Sequence, residues 1–362
     1  MYDLPALIQD EGLVAELLGC VERGEPVARI REAKIKLTCR CNLRCRFCSF
    51  GRMEPVEEIT PTEVGDLLTQ LAAMDCRKVH FSGGEATLLP ELPDLVRQAA
   101  GLGMRVSLTT NATLLTGESA EALVSAGLRS VSVSLDGPEP SVHDGLRGVK
   151  GAFKLTGAGI RHLTRARKRL KAKLALRINM VLTRHNYHAY PEVLQLAAEL
   201  GATDVKPIPV DERATNENRL LPWQLREFND CIAPAAEALR AEHGFSTDRH
   251  LVYPFGVTDD ELALSAQQHY GLGYYGRHLC FAPWLTTLVT WTGDVLLCCM
   301  SRNKVAPVGN VRQTPLAEIY MGEAYEQLRR QFRQRRPAIC KRCDDFLAEN
   351  RFLNEALGRG GG

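Results

Sequence analysis

The sequence predicts an α/β protein in which parallel strands form an open, partial (β/α)6 barrel, followed by a small C-terminal domain. Three observations lead to this prediction. Six short β-rich runs alternate with stretches of helical periodicity between residues 33 and 210. Polar or glycine-rich motifs follow the first four runs, where the carboxyl ends of barrel strands carry functional groups. A second group of cysteines lies beyond the last of these strands.

The elements are predicted in chain order. Residues 1–32 form an N-terminal helical extension, and the barrel then occupies residues 33–211. The predicted strands span residues 33–38, 78–83, 104–110, 130–135, 174–182 and 203–210. A helical connection follows over 212–270, then the C-terminal domain over 271–350, and a tail over 351–362 that we expect to be disordered because it ends in glycines.

The helix after the first strand has the clearest start signal. Thr60 and Glu63 have the spacing of a capping box, and Pro61 suits the first helical position. The apolar residues that share one face of this helix are Val64, Leu67, Leu68 and Leu71. We therefore predict a helix that begins at Thr60 and packs this face on the sheet.

Composition narrows the possible partners and the compartment. The formal net charge is +2 over 362 residues, so no global field favours nucleic acid or an acidic membrane. The basic runs at 165–173 and 328–336 lie in helical patterns with almost no interleaved aromatic residues, which is typical of solvated helix faces. Neither a signal peptide nor an apolar stretch of about 18 residues is present. We expect a cytoplasmic protein.

Twelve cysteines in a reducing compartment point to metal binding more than to disulfides. Cys41, Cys45 and Cys48 offer three thiolates within one loop after the first strand. Three ligands leave one iron of a 4Fe–4S cluster open to a substrate or cofactor. The alternative is a tetrahedral zinc site with Cys39 as the fourth ligand. Cys20, Cys76 and Cys231 stand apart and are expected to pack as small buried hydrophobes.

The segment "CNLRCRFC" followed by "FSGGEATLLPEL" resembles the radical S-adenosylmethionine (SAM) superfamily, and "TTNATLL", "VSLDGPEPSVHDGLRGVKGAF" and "INMVLTRHNY" continue the match. The resemblance implies that Cys41, Cys45 and Cys48 bind a 4Fe–4S cluster whose open iron chelates SAM. Reduction by a flavodoxin- or ferredoxin-type donor then yields a 5′-deoxyadenosyl radical. The other residues that it assigns to the SAM site are Phe47 near adenine, Gly83, Gly84 and Glu85 at the methionyl amino group, Ser134 at the ribose, Arg147 at the carboxylate, and Asn111 and Asn179.

The later cysteines resemble the twitch form of the auxiliary domain in the SPASM/twitch branch of that superfamily. Cys280 precedes a Gly293-x4-Cys298 segment, and a Cys340-x2-Cys343 pair follows. Four ligands close a second 4Fe–4S cluster completely, so two clusters are expected in total. A zinc ribbon is the alternative that spacing alone leaves open.

Cys299 follows the second of these cysteines directly. In relatives that mature sulfatases, an Asp base occupies this position, so the thiol argues against that activity. A thiol beside the substrate can donate a hydrogen atom to a carbon radical, which makes Cys299 the candidate catalytic residue. The alternative is an inert buried cysteine.

The resemblance fixes the cofactor chemistry, while pocket residues determine the substrate. We expect hydrogen abstraction from a polar small molecule, such as an amino sugar or aminocyclitol of a natural-product pathway, with dehydrogenation or epimerisation as the outcome. Only 32 residues precede the first strand, whereas a peptide-recognition domain typically takes about 80. Peptide modification is the alternative, and a non-catalytic metal-binding or sensor protein is a remote one.

Overall fold

The computed structural model describes residues 11–27, 29–212, 216–301, 305–334, 337–343 and 347–356. The strands are β1 (Glu32–Lys36), β2 (Lys78–Ser82), β3 (Arg105–Thr110), β4 (Leu128–Ser134), β5 (Ala175–Leu182), β6 (Asp204–Pro209), β7 (Thr286–Val289), β8 (Asp294–Leu296) and β9 (Gly309–Asn310). All six predicted strands are present, with ends that differ by one or two residues.

The helices fall into two groups. Those of the barrel region are α1 (Glu11–Arg23), α2 (Pro61–Ala73), α3 (Leu92–Gly101), α4 (Gly117–Ser125), α5 (Pro140–Arg147), α6 (Ala152–Arg169) and α7 (Tyr190–Glu199). The later helices are α8 (Pro222–Glu227), α9 (Ala233–Glu242), α10 (Arg249–Val252), α11 (Asp259–Ala266), α12 (Tyr274–Arg277), α13 (Ala282–Leu285), α14 (Leu316–Met321), α15 (Glu323–Gln334) and α16 (Leu347–Ala356). Among the described residues, no helix combines the length and apolar character that crossing a bilayer requires.

One sheet connects both parts of the chain. The strand order is β6-β5-β4-β3-β2-β1-β7-β8-β9, in which β1 to β6 are parallel to their neighbours and β7 is parallel to β1. A hairpin then adds β8 and β9 as antiparallel strands. Because β6 and β9 are the two edges, the sheet stays open, which confirms the prediction of a partial barrel. The sequence analysis missed β7 to β9.

Helix α2 begins and packs as predicted. Thr60 accepts a hydrogen bond from the Glu63 amide, and the Glu63 carboxylate accepts one from the Thr60 amide, so the capping box is confirmed. The apolar face of α2 is buried against the strands, with Val64, Leu67, Leu68 and Leu71 at most 1% exposed. Burying each such side chain contributes about 1.5–3 kcal/mol.

Successive residues of the strands face opposite sides of the sheet. One set, which includes Val79, Phe81, Val131 and Val133, is fully buried in the core beneath the helices. The other set is polar and half-buried in strands β1, β2, β4 and β5. Because the helices cover the outside of the curled sheet, the polar set lines its inner face.

The first and last helices of the described residues, α1 and α16, pack in one apolar cluster of the C-terminal region. Helix α1 packs through Leu17 and Val21 on Trp284, and the Trp284 indole donates to the Glu25 carbonyl at 2.9 Å. Leu353 of α16 joins the same apolar cluster. The expected disordered tail over 351–362 is therefore wrong for residues 351–356, which are helical, while 357–362 lie outside the described residues.

The isolated cysteines differ from one another. Cys20 and Cys76 are buried as predicted, at 8% and 4% exposed. Cys231 is exposed, so the prediction of a buried thiol is wrong there. It lies in a π-helical turn, Phe228–Ile232, and the wider turn directs Phe228 rather than Cys231 into the core.

Candidate active site and auxiliary centre

The loop after β1 carries the first three cysteines. The Leu43 amide donates to the Cys41 sulfur at 3.5 Å, and the Cys48 amide donates to the Cys45 carbonyl at 3.3 Å. Cys45 packs with Leu43 in one small apolar cluster, and Cys41 and Cys48 pack against that cluster. The structure thus brings the three predicted ligands together on one face of a tightly turned loop.

The C-terminal end of α5 holds this loop in place. The Arg44 amide donates to the Arg147 carbonyl at 3.1 Å, and the Arg46 amide donates to the Leu146 carbonyl at 3.0 Å. Gly148 then turns the chain with φ 70°, and a Cβ there would lie 2.3 Å from the Arg44 carbonyl oxygen. Two backbone hydrogen bonds and a glycine therefore fix the positions of the cysteines relative to α5.

The Arg147 side chain reaches the same loop. Its Nη1 lies 3.8 Å from the Cys45 sulfur, and its Nε pairs with Asp136 Oδ2 at 2.7 Å. Its guanidinium carbon lies 5.6 Å from the centroid of the Phe47 ring. Arg147 is only 6% exposed, so its charge acts at short range inside the protein. The carboxylate role that the resemblance assigns to Arg147 and the adenine contact of Phe47 remain predictions.

Burial makes the Cys41 and Cys45 thiols hard to ionise without a metal. Burial raises the pKa of Cys41 to about 11. It also raises the pKa of Cys45, although the nearby Arg147 cation opposes this effect. Iron binds the thiolate form, so binding supplies the stabilisation that the apolar surroundings withhold. Cys45 is buried and Cys41 and Cys48 are partly buried, and three such thiols in one loop fit an iron–sulfur cluster with one open iron.

The turn after β2 approaches this loop through two glycines. The Gly84 amide donates to the Thr38 carbonyl at 2.7 Å, and the Glu85 amide donates to the Arg40 carbonyl at 2.9 Å. Gly83 has φ 152°, and a Cβ at Gly84 would lie 2.1 Å from the Arg40 carbonyl oxygen. Only residues without a Cβ permit this approach.

Glu85 connects this turn to β3. Its Oε1 accepts hydrogen bonds from the Thr87 amide, the Thr87 hydroxyl and the Thr110 hydroxyl, and its Oε2 accepts one from the Asn111 amide at 2.7 Å. The residue is 1% exposed. The sequence analysis assigned Glu85 to the methionyl amino group and missed this role in joining β2 to β3. One lone pair of Oε2 is left for such a ligand, so that assignment stays a prediction.

Asn111 closes the site on the β3 side. Its side chain donates to Asn42 Oδ1 at 2.9 Å and accepts from the Thr113 amide and hydroxyl. Asn42 in turn donates to the Thr113 hydroxyl at 2.8 Å. These contacts hold the cysteine loop to the end of β3. Asn42 and Thr113 were missed by the sequence analysis, because single polar residues in loops carry no periodic signal.

Ser134 and Asn179 lie side by side on the inner face of the sheet. They pair in register, Ser134 at the end of β4 and Asn179 within β5, and Asn179 pairs with Lys206 of β6. Asn179 Oδ1 is buried and has no hydrogen-bond partner among the described residues. A buried acceptor without a partner is costly, so a ligand donor at this position is favoured. The predicted cofactor roles of Ser134 and Asn179 are not tested by this arrangement.

A polar layer lies deeper on the inner face. Lys34, His80, Ser107 and Ser130 are in register across β1 to β4. The His80 ring contacts the Ser107 hydroxyl at 2.9 Å and the Thr109 hydroxyl at 3.1 Å. Burial, with help from the Lys34 charge, lowers the pKa of His80 to about 3, so the ring is neutral at pH 7.

Cys299 faces this inner layer from the C-terminal region. Its sulfur lies 3.9 Å from the Lys34 Nζ, which donates to it. Lys34 belongs to the polar set of β1, so Cys299 reaches the inner face of the sheet. The two residues are 265 positions apart, and no sequence signal connects them. Lys34 is therefore a site residue that the sequence analysis missed.

The later cysteines gather in one apolar pocket. Cys280, Cys298, Cys340 and Cys343 line it together with apolar side chains that include Leu297, Met300, Phe332 and Ile339. Burial raises the pKa of Cys280 to about 12 and also raises the pKa of Cys298. Four buried thiols around one pocket have the donor number that closes a 4Fe–4S cluster.

Helix α16 supports this auxiliary centre. The Asn350 side chain donates to the Cys280 sulfur at 3.5 Å and accepts from the Phe281 amide at 2.8 Å. Asn354 contacts the Leu279 carbonyl and the Tyr274 hydroxyl, both at 2.9 Å. The sequence analysis missed both asparagines, and it placed Asn354 in a disordered tail.

A tetrahedral zinc site, the alternative at both centres, requires four ligands close to one ion. Zn–S bonds of about 2.3 Å in a tetrahedron place sulfurs about 3.8 Å apart. Within the described part of the chain, no group of three or more His, Cys, Asp or Glu residues is arranged to hold a single metal ion.

Comparison with known proteins agrees with this chemistry. The Radical SAM superfamily model matches residues 35–197, and the SPASM model, an iron–sulfur cluster-binding domain, matches residues 280–344. An AdoMet-dependent heme synthase of Oleidesulfovibrio alaskensis is 30% identical over 329 residues, which cover 86% of this chain and 79% of that protein. A PqqA peptide cyclase of Streptomyces rochei is 31% identical over 323 residues, covering 87% and 82%.

Among solved structures, Streptococcus suis SuiB bound to its precursor peptide SuiA superposes with a TM-score of 0.65 at 17% identity, covering 91% of this chain and 74% of that one. This likeness shows the fold. The chain belongs to the radical SAM superfamily, in the branch that carries a SPASM-type C-terminal cluster domain. Its cofactors are accordingly SAM and two 4Fe–4S clusters.

The first prediction separates the two centres. Replacing Cys41, Cys45 and Cys48 together by Ala should abolish 5′-deoxyadenosine formation and leave about four irons per chain at the auxiliary centre, as one cubane holds. Iron analysis and product chromatography of anaerobically reconstituted protein measure both. Deoxyadenosine at the wild-type rate in this variant would show that other residues hold the SAM cluster.

The second prediction concerns the glycine contact. Gly84→Ala places a methyl group on the Arg40 carbonyl, so the cysteine loop must move, and we expect iron content to fall from about eight to about four per chain. The matched control is Gly145→Ala, since a Cβ at Gly145 of α5 meets no atom within 4 Å. The control should keep its iron. Full iron content in both variants would contradict the proposed constraint.

Proposed function

We propose that this enzyme abstracts a hydrogen atom from an unactivated carbon of a polar small molecule, such as an amino sugar or aminocyclitol, and that the outcome is dehydrogenation or epimerisation. One observation carries the choice of substrate: most half-buried residues on the inner face of the sheet are polar, with Val181 and Ile208 as apolar exceptions near the carboxyl ends of β5 and β6. An inner face filled by its own core would be apolar. Hydroxyl, amide and cationic groups there suit a substrate rich in hydroxyl and charged groups.

The groups on this face are of several kinds. Hydroxyls come from β3 and β4, an amide from Asn179, and cations from Lys34, Arg177 and Lys206. Such a mixture can orient a polyhydroxylated ring through several hydrogen bonds at once. Precise orientation matters because the atom that is abstracted must lie within a few ångströms of the radical.

SAM bound at the first cluster supplies a 5′-deoxyadenosyl radical after one-electron reduction. The external donor of that electron is proposed to be a flavodoxin or ferredoxin. The chain itself contributes a cysteine loop held by α5 and by the glycine turn, and a buried Arg147–Asp136 pair beside Cys45. These residues position the site and exclude water from it.

Cys299 is proposed to decide between the two outcomes. Its contact with Lys34 supports a position on the inner face, where a substrate radical could reach the thiol. Transfer of a hydrogen atom from the thiol to the carbon completes an epimerisation and leaves a thiyl radical. One electron from the reductant and one proton from water then regenerate the thiol. Without this transfer, the cluster that Cys280, Cys298, Cys340 and Cys343 would hold could accept one electron from the substrate radical, and loss of a proton to a base would complete a dehydrogenation.

A peptide substrate is the second candidate. A relative at 31% identity is a PqqA peptide cyclase, and this observation favours peptide chemistry. A relative of comparable identity is a heme synthase, whose product is a small molecule. The two names together leave both substrate classes open within this branch, so the choice made here depends on the polar inner face.

The third prediction tests the substrate class. Reduced, reconstituted protein with SAM should form deoxyadenosine faster with a panel of amino sugars and aminocyclitols than without addition, and a peptide panel of matched concentration should give only the background rate. A deuterium label on the altered carbon should appear in deoxyadenosine, as mass spectrometry measures. Acceleration by peptides alone would favour the maturase alternative, and no deoxyadenosine under any condition would contradict catalysis.

The fourth prediction concerns Cys299. If it donates the hydrogen atom, turnover in deuterium oxide should place one deuterium at the altered carbon, because a thiol exchanges its hydrogen with water. Cys299→Ser should still form deoxyadenosine but divert the substrate radical to side products. The control is Cys231→Ser, which changes an exposed cysteine away from the inner face. Unchanged product and no solvent deuterium would overturn the donor role and favour dehydrogenation.

A further inference from the structure

A basic pocket lies at the free edge of β6. Its walls combine strand residues, the segment 249–256, residues near 270 and the C-terminal helix α16. The basic side chains that line it are Lys206, Arg249, His250 and Arg351, and the other described lining residues include no Asp or Glu. Three prolines, two tyrosines, a glycine and a leucine form the rest of its lining, which keeps the pocket comparatively apolar between its charges.

The cations of this pocket differ in how they are balanced. Arg249 pairs with Glu261 at 2.7 Å, so its charge is offset. Arg351 lies with its guanidinium carbon 5.7 Å from the centroid of the Tyr274 ring, and it makes no ion pair with any residue in the described part of the chain. A half-buried arginine that stacks on an aromatic ring keeps its planar donors available to an anion.

Two of the cations that line this pocket act on His250, which lines it too. Burial lowers the pKa of His250, and the charges of Lys206 and Arg351 lower it further, although Asp248 opposes them. Lys206 lies on β6 and Arg351 on α16, so two separate elements contribute cations to the lining of one pocket. Two cations that line one pocket suit a carboxylate or a phosphate, and an arginine can bind either in a bidentate manner.

The position of Lys206 connects the pocket to the active site. Lys206 pairs in register with Asn179, and Asn179 pairs with Ser134. Adjacent strands are about 4.8 Å apart, so the pocket begins roughly 10 Å from Ser134 along the same row of the inner face. Asn179, with its buried and unpartnered Oδ1, lies between them. An anionic group held at Lys206 would leave the body of its molecule over this row.

We propose that the pocket formed by Lys206, His250 and Arg351 binds a carboxylate or phosphate group of the substrate and thereby anchors the substrate on the inner face. This inference rests on the proposed function, since it takes the inner face to be the substrate site. It narrows the substrate class to polar small molecules that carry an anionic group.

The test uses direct binding as well as turnover. Inorganic phosphate and glutarate are titrated into reconstituted full-length protein, and heat is measured by calorimetry. We expect at least one of these probes to bind wild-type protein. Arg351→Gln and Lys206→Gln should each weaken that binding about tenfold or more, because a charged hydrogen bond is lost. Stronger binding of phosphate than of glutarate, or the reverse, identifies the anionic group.

Two further variants provide the controls. Arg351→Lys keeps the charge and should restore most of the binding. Arg277→Gln removes an exposed arginine of α12 outside the pocket and should bind as wild type does. Circular dichroism establishes that each variant is folded. Should Arg351→Gln fail to fold, Lys206→Gln tests the pocket independently from β6.

The outcomes separate this inference from the proposed function. Failure of both probes to bind wild-type protein, or binding by both Gln variants as tight as that of wild-type protein, overturns the anion pocket even when wild-type protein forms deoxyadenosine. Absence of deoxyadenosine from wild-type protein contradicts the proposed function, whatever the calorimetry gives. An anionic substrate whose KM rises about tenfold in Arg351→Gln with kcat retained would support the anchor role.

Discussion

The close backbone contact between the loop after β1 and the turn after β2 is the constraint on which the active site depends. Gly84 and Glu85 donate to the carbonyls of Thr38 and Arg40, and the approach is too close for a Cβ at Gly84. The same turn presents the Glu85 carboxylate, which collects hydrogen bonds from the end of β3. This short turn therefore fixes the ends of β1, β2 and β3 relative to one another, and their arrangement positions the cysteine loop.

The outward face of the sheet forms the hydrophobic core, and the inward face carries the candidate site. The outward residues are apolar and nearly all fully buried, so they supply the stabilisation of the barrel region. The inward residues are polar, and their row-by-row pairing fixes which groups lie side by side. Because strand residues alternate between the two faces, a change of register by one residue would exchange core and site. Because the buried face fixes the register, Ser134, Asn179 and Lys206 stay in one row on the inner face.

Most of the barrel could be predicted from the sequence, because alternation in strands and periodicity in helices leave local signals. The capping box at Thr60 is one such signal. The cysteine spacings likewise indicated both centres. Contacts between distant segments leave no local pattern, so the pairing of β7 with β1 and the contact of Lys34 with Cys299 were missed. The polar alternation in β2 and β4 was readable in "KVHFS" and "SVSVS", and it could have indicated the inner face.

The auxiliary centre depends on both ends of the chain. Asn350 and Asn354 of α16 bind the segment that begins at Cys280, and Leu353 packs into the cluster that α1 and Trp284 share. Arg351 lies on the same helix and faces the pocket at β6. One helix therefore contacts a thiol of the auxiliary centre and supplies a wall of the anion pocket. Asn350 and Arg351 are consecutive residues of α16, so a displacement of this helix would change both the contact with Cys280 and the lining of the pocket.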